Sequence, residues 1–346
     1  MKTIISLACV LIANLGIAIP NYAHGQDKVE VKTVVERLNN PCGVAIQPGT
    51  GHVFVSDSGA LRVIRIVDGK AEPVITGFPK DTYGKGPIYD IGPLGLVFID
   101  KDTLAVGGGG KIDGEEMLRV YKIPPTGAAP IDASQMHGDP QTLPAAGEVA
   151  GEGNFYGLAK GNQGIFVTCN GDDDKGWISL AKITDGKIAS FERKIATKEA
   201  TKVDAPVAIT ISPEGFIAVG QMGEITLAGD SLLTFYNENG EKLENFKTDL
   251  FDITGLAYGP KRGRLFATDF RWLDTDQGGL YKIIAIKDNY EKCKPQKIVS
   301  LKKPTALAFH PNGDLYITLA GNPVEGTSKP DGKLVMIQGL DAEPKK

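Results

Sequence analysis

The chain has 346 residues, 42% hydrophobic and 23% charged, an ordinary globular composition with ample length for a core. Its net charge of −4 leaves no basic surplus to neutralise phosphates, which argues against nucleic acid or an anionic membrane as the main partner. Gly accounts for 43 residues, which suits many short strands joined by turns that need positive φ.

The N-terminus reads as a targeting segment. Lys2 gives a positive start, Ile4 to Ile19 form an apolar stretch, and Ala23-His24-Gly25 supplies a cleavage site before Gln26. Asn14, Gly16 and Pro20 suit a cleaved signal better than a membrane span, and no later segment reads as one. The expectation is a signal peptide over 1–25 and a mature protein exported to a periplasm-like compartment. Cleavage leaves Cys42, Cys169 and Cys293, an odd number with no obvious pair, so at least one free thiol or a bond to another chain is expected. No Cys-x-x-Cys-His occurs, so the chain attaches no haem covalently.

From there one phrase recurs six times. A short apolar run meets a Gly-bearing turn, and a second apolar run ends at a small or acidic residue. The first runs begin at Gly43, Gly95, Tyr156, Val207, Thr254 and Leu307, and the second end at Asp57, Gly107, Thr168, Gly220, Asp269 and Thr318. A recurrence at roughly fifty residues in β-rich sequence signals a propeller with one blade per repeat. Third strands follow at Leu61–Ile66, Met117–Ile123, Trp177–Ile183, Ser231–Tyr236, Gly279–Ile283 and Lys333–Ile337, several of them alternating apolar and polar residues. A fourth strand is traceable in most blades, as in Pro73–Thr76 and Lys297–Leu301, but the last repeat runs into the polar tail 341–346. Val29–Val35, which has no blade of its own, is proposed to supply the missing outer strand and close the ring. The fold expected is therefore all-β, a six-bladed β-propeller over 26–340. The irregular stretch Pro124 to Asn154 reads as a large loop or, alternatively, as a seventh blade.

In a propeller the loops from second to third strand and the crossings between blades share one face. His52 and His310 fall in first-to-second turns, on the other face, so only His137 could reach the functional one. A histidine-based triad or a multi-histidine metal site is not expected, and no catalytic residue is assigned. The functional face is lined instead by Asn40, Asp57, Asn154, Asn170, Asp204, Asp252 and Asp269. Such oxygens from different blades could hold calcium, with Asp57, Asn154, Asp204 and Asp269 the candidate ligands, or they could cap turns through nearby N–H groups. The run Asn170–Gly176 reads as a solvated acidic loop tip rather than half a calcium loop. Gly107–Gly110 reads as a flexible loop, since no helix follows to hold an anion. A contact element for a partner is expected at Lys247, Asp249, Leu250, Phe251 and Asp252, together with the Arg271-Trp272 pair, or else Trp272 packs on a blade edge.

The repeats resemble the NHL and related six-bladed propellers. Pro304-Thr305-Ala306-Leu307-Ala308-Phe309-His310-Pro311-Asn312-Gly313 and Pro41-Cys42-Gly43-Val44-Ala45-Ile46 are similar to that family's phrase. One branch, the gluconolactonase-like enzymes, holds a metal in the channel with Glu, Asn and Asp. Here Pro330-Asp331-Gly332 falls after the last inner strands, and no Glu opens the first blade. As an exported, haem-free, histidine-poor propeller the chain also resembles the β subunits of hydrazine synthase. That resemblance implies a scaffold assembled with haem-c-bearing subunits in the anammoxosome lumen, a loop near Asp249 and Asp252 approaching the partner's haem, and chemistry that joins nitric oxide and ammonia there. The other functions kept open are a metal-dependent lactonase-like hydrolase and a stand-alone binder of a sugar or peptide.

Overall fold

The structure, a computed structural model, describes residues 29–84, 86–285 and 292–343; the signal peptide expected at 1–25 lies outside the described residues. Six antiparallel sheets follow one another, each opened by one of the repeated phrases. Their inner strands are Pro41–Ile46, Pro93–Phe98, Leu158–Lys160, Pro206–Ile211, Ile253–Tyr258 and Pro304–Phe309. The second strands are Val53–Asp57, Thr103–Gly108, Ile165–Thr168, Ile217–Gln221, Leu265–Asp269 and Leu315–Leu319. Lys70–Thr76, Lys187–Ala196, Lys242–Lys247 and Cys293–Ser300 are the outer strands of blades 1, 3, 4 and 5. The chain is thus an all-β, six-bladed propeller. We call the face carrying the second-to-third loops and the blade crossings the upper face.

Blade 6 takes its outer strand from the other end of the chain: Lys32–Leu38 pairs antiparallel with Gly332–Ile337, from Lys32 opposite Met336 to Leu38 opposite Gly332. Blade 2 obtains its edge from Pro124–Asn154. Gln141 exchanges both backbone hydrogen bonds with Leu118, and His137 N–H donates to the Val120 carbonyl at 2.7 Å. Farther back, Ile131–Asp132 runs parallel to the outer strand of blade 1. The stretch is therefore neither a free loop nor a seventh blade. It satisfies the backbone groups of two neighbouring outer edges. His137 is carried to the lower end, beside Lys122 and Gly186, and does not reach the upper face.

The core lies between blades. One cluster joins Phe54 and Val63 of blade 1 to Phe98, Leu104, Val106 and Tyr121 of blade 2, with Phe54 and Phe98 edge-to-face at 5.0 Å. Toward the hub the strands converge until only small residues fit. A Cβ on Gly43 would stand 2.2 Å from the Leu94 carbonyl oxygen, and one on Gly157 would stand 2.5 Å from that of Val207. Hydroxyls bridge the same seams. Ser56 donates to the Leu94 carbonyl (2.5 Å), Thr168 to Val207 (3.0 Å), Thr254 to Pro304 (2.7 Å) and Thr305 to Pro41 (2.6 Å).

Two local expectations change. Gly107–Gly110 is buried and tightly packed, not flexible; a Cβ on Gly110 would meet the Pro79 carbonyl oxygen at 1.9 Å. Cys293, within the charged run Lys292–Lys294, is buried at the start of an outer strand, and all three described cysteines are free and buried. Asp341, expected in the polar tail, is fully buried. It pairs with Arg264 at 2.8 Å and accepts the backbone N–H groups of Lys261 and Arg262, tying blade 6 to blade 5.

Candidate functional site

Each inner strand enters the hub from the upper face with the same local pattern: a residue that turns the chain, an anchor, a hub-facing residue, then Gly or Ala. Asn40, Asn154, Ala205 and Lys303 make that turn with positive φ between +46° and +53°. The hub-facing residue is Cys42, Leu94, Tyr156, Val207, Thr254 and Thr305 in blades 1 to 6, and all six line one cavity at the upper mouth of the channel. Tyr156 forms its floor. Its hydroxyl crosses from blade 3 to donate to the Thr305 carbonyl of blade 6 at 2.9 Å, separating the cavity from the channel below.

The space in and above the cavity is about 650 Å³ with the open solvent at its mouth counted in, of which about 70 Å³ admits the centre of a water-sized molecule. One wall, from blades 4 and 5, is apolar: Met222, Phe270 and Trp272. Trp272 stacks on Phe270 at 4.4 Å and meets Tyr89 and Tyr83 at 6.1 and 6.4 Å. The two tyrosines come from a hairpin, Asp81–Tyr83 with Tyr89–Ile91, inserted in the crossing from blade 1 to blade 2. The other wall carries the amides Asn40, Asn154 and Asn170. Asn40 Nδ2 donates to the Asp90 carbonyl at 3.0 Å. Asn170 lies beside the Tyr83 hydroxyl, which burial holds above its ordinary pKa. Asn154 is positioned by Glu116, whose buried carboxylate accepts the Asn154 backbone N–H. Burial foremost, with Asp113 and Asp81 adding like charge, pushes the Glu116 pKa up to about 8.

Of the seven upper-face residues singled out from sequence, the three amides line this cavity and the four carboxylates do not. Asp57 and Asp269 stand at equivalent positions and do the same local work. Asp57 accepts the Asn39 N–H (2.6 Å) and pairs with Arg62, and Asp269 accepts the Asp252 N–H (2.8 Å). Asp252 in turn accepts the Trp272 N–H at 2.6 Å; burial foremost pushes its pKa up to about 7. Asp204 pairs with Lys198 at 2.8 Å. These carboxylates cap turns, each in its own blade, and the set Asp57, Asn154, Asp204, Asp269 is not brought together. Among the described residues no three His, Cys, Asp or Glu side chains gather in metal-binding geometry. In the acidic run, Asp172 is buried and accepts the Asp174 N–H, while Asp173 and Asp174 are exposed.

The expected partner-contact residues divide in two. Lys247 and Asp249 are exposed, whereas Leu250 and Asp252 are buried. The Arg271 guanidinium sits 4.0 Å over the Phe251 ring, and Trp272 faces the cavity. The hairpin tyrosines, Met222 and Phe270 were missed in sequence. The signal that could have found them was the shared register of the six inner-strand entries, which marks the hub and the loops above it.

Comparison with known proteins supports the architecture and no closer assignment. No family model matches the chain. No curated protein matches it either. Among solved structures, the PQQ-bound aldose sugar dehydrogenase of Streptomyces coelicolor superposes with TM-score 0.60 at 15% identity, covering 89% of this chain and 98% of that one. The soluble aldose sugar dehydrogenase of Escherichia coli gives 0.58 at 13%, with coverage of 89% and 99%. A gluconolactonase of Xanthomonas campestris gives 0.57 at 13%, with coverage of 89% and 88%. At such identities the likeness is of fold, and these similarities do not show the resemblance to hydrazine synthase. Pyrroloquinoline quinone is a tricarboxylate, and the cavity lining, without lysine or arginine among the described residues, does not fit it. The same lining presents no carboxylate for calcium.

Proposed function

We propose that the protein is an exported binding propeller, non-hydrolytic, that takes an uncharged ring-shaped small molecule into its hub cavity. The observation that carries this reading is the identity of the six equivalent hub residues. Cys42, Leu94, Tyr156, Val207, Thr254 and Thr305 offer shape and apolar surface, and no ionised group. The Thr254, Thr305 and Tyr156 hydroxyls donate to backbone carbonyls, and burial foremost pushes the Cys42 thiol up to about 12, far from a nucleophilic thiolate at neutral pH. A ligand with a charge would lose its hydration in this cavity without an opposite charge in return. A neutral ring can lay an apolar face on Trp272 and turn its hydrogen-bonding edge to Asn40, Asn154 and Asn170. Sugars and sugar lactones, named for the fold neighbours, are rings of this kind.

Calorimetry of the mature protein against glucose, xylose and glucono-δ-lactone tests the reading, with lactone hydrolysis followed in parallel. Saturable binding of at least one, weakened tenfold or more by Trp272→Ala and without lactone turnover above the buffer rate, is expected. Calcium-dependent lactone hydrolysis would overturn it. A second reading, a haem-free subunit of an exported redox complex, draws on a separate feature, the exposed apolar side chains of the rim loops. Co-purification with a c-type cytochrome is its test.

A further inference from the structure

Apart from the cavity, the upper face has a feature that the hub ligand does not explain. Four of the seven large apolar side chains exposed on the described surface lie on its loops: Ile88 (58% exposed), Ile112 (68%), Leu227 (56%) and Leu273 (55%). Three of them are close in sequence to residues of the cavity's apolar wall. Ile88 precedes Tyr89, Leu273 follows Trp272, and Leu227 is two residues from Ile225, which like Trp272 packs against the Ala205, Val207 and Met222 cluster. The loops that supply the apolar wall of the cavity therefore also carry exposed apolar side chains. Isolated exposed apolar residues are normal on any surface, whereas a contiguous set rimmed by polar groups marks an interaction site.

Carboxylates predominate on these loops, beside the exposed Lys80, Lys202, Lys302 and Lys329. Asp113, Asp173, Asp174, Glu224, Asp274 and Glu325 are exposed, and on the upper-face loops exposed carboxylates outnumber exposed lysines and arginines. The exposed charge of this face is therefore net acidic. Two copies meeting rim to rim would bring like charge together, which disfavours self-association through this surface.

We propose that the upper rim is a docking surface for a basic protein segment in which lysine or arginine alternates with apolar residues. The apolar side chains would cover Ile88, Leu227 and Leu273 while the cations meet the surrounding carboxylates. The charge steers encounter and selects against acidic partners, and the apolar patch supplies the contact that outlasts it. The inference rests on the rim alone and stands whether or not the hub binds a neutral ring.

The test uses the mature protein and a fluorescein-labelled hexapeptide alternating lysine with leucine; a glutamate–leucine hexapeptide of the same pattern is the control. Fluorescence anisotropy should show binding of the lysine peptide only. Raising the salt from 50 to 300 mM should weaken it, and the double variant Leu227→Ser/Leu273→Ser should weaken it at least fivefold. Phe216→Ser, on the lower face and 40% exposed, should leave it unchanged. Equal binding of both peptides, no binding, or an equal loss in the Phe216 variant would overturn the proposal. So would sedimentation showing a dimer of this chain that the rim double variant dissolves.

Discussion

Three buried carboxylates keep their protons far above the ordinary range, and this has a sign that can be measured. Burial foremost holds Glu116 up to about 8 and Asp252 and Glu152 up to about 7. The unfolded chain releases these protons near the usual carboxylate values. Between the two, the folded state binds more protons, so this contribution is fully present below the unfolded pKa and is lost as pH rises toward 7 to 8. Urea unfolding at pH 5 and pH 8 should show a drop in stability for the wild type. Glu116→Gln, which keeps an acceptor for the Asn154 N–H, should drop by about 3 kcal/mol less. An unchanged drop would mean that Glu116 ionises normally. At this scale the sequence was only partly legible. Asp57, Asp252 and Asp269 look alike on paper as metal ligands or turn caps. The choice between them depends on whether the side chain points across the hub or back to its own strand, which no local pattern encodes.

Elements were easier to read than side chains, because strand alternation and Gly-bearing turns are local properties. All six first, second and third strands fell where the repeats placed them. The failures came where a segment's role depends on something distant. Pro124–Asn154 lacks strand character of its own, yet pairs at Gln141 and His137 because blade 2 would otherwise expose the edge of Leu118–Lys122. Asp341 looked like a solvated tail residue until Arg264, far away in sequence, proved to be its partner. Asp341→Ala would leave the Lys261 and Arg262 N–H groups and the Arg264 charge without their acceptor, and should cost about 2 to 4 kcal/mol in urea unfolding. Gly157→Ala should cost about 1 to 3 kcal/mol by overpacking against the Val207 carbonyl. Tolerance of that alanine, with an unchanged melting temperature, would show that the seam between blades 3 and 4 can open.

At the level of the whole molecule, the ring converts six unremarkable inner-strand residues into one continuous lining. That is why the architecture was legible in sequence and the site was not. A repeat shows that a hub exists, but its chemistry is the sum of one residue per blade plus loops that fold over it, and the hairpin carrying Tyr83 and Tyr89 belongs to no repeat. The measurement that tests the central claim most directly uses the two tryptophans of the chain. In a Trp177→Phe variant only Trp272 reports, from the cavity wall. Titration with neutral sugars and lactones, with calcium and with a chelator, should change its emission saturably and equally in both conditions. An emission that responds only when calcium is present, accompanied by lactone turnover, would contradict a hub that binds through shape and amides alone.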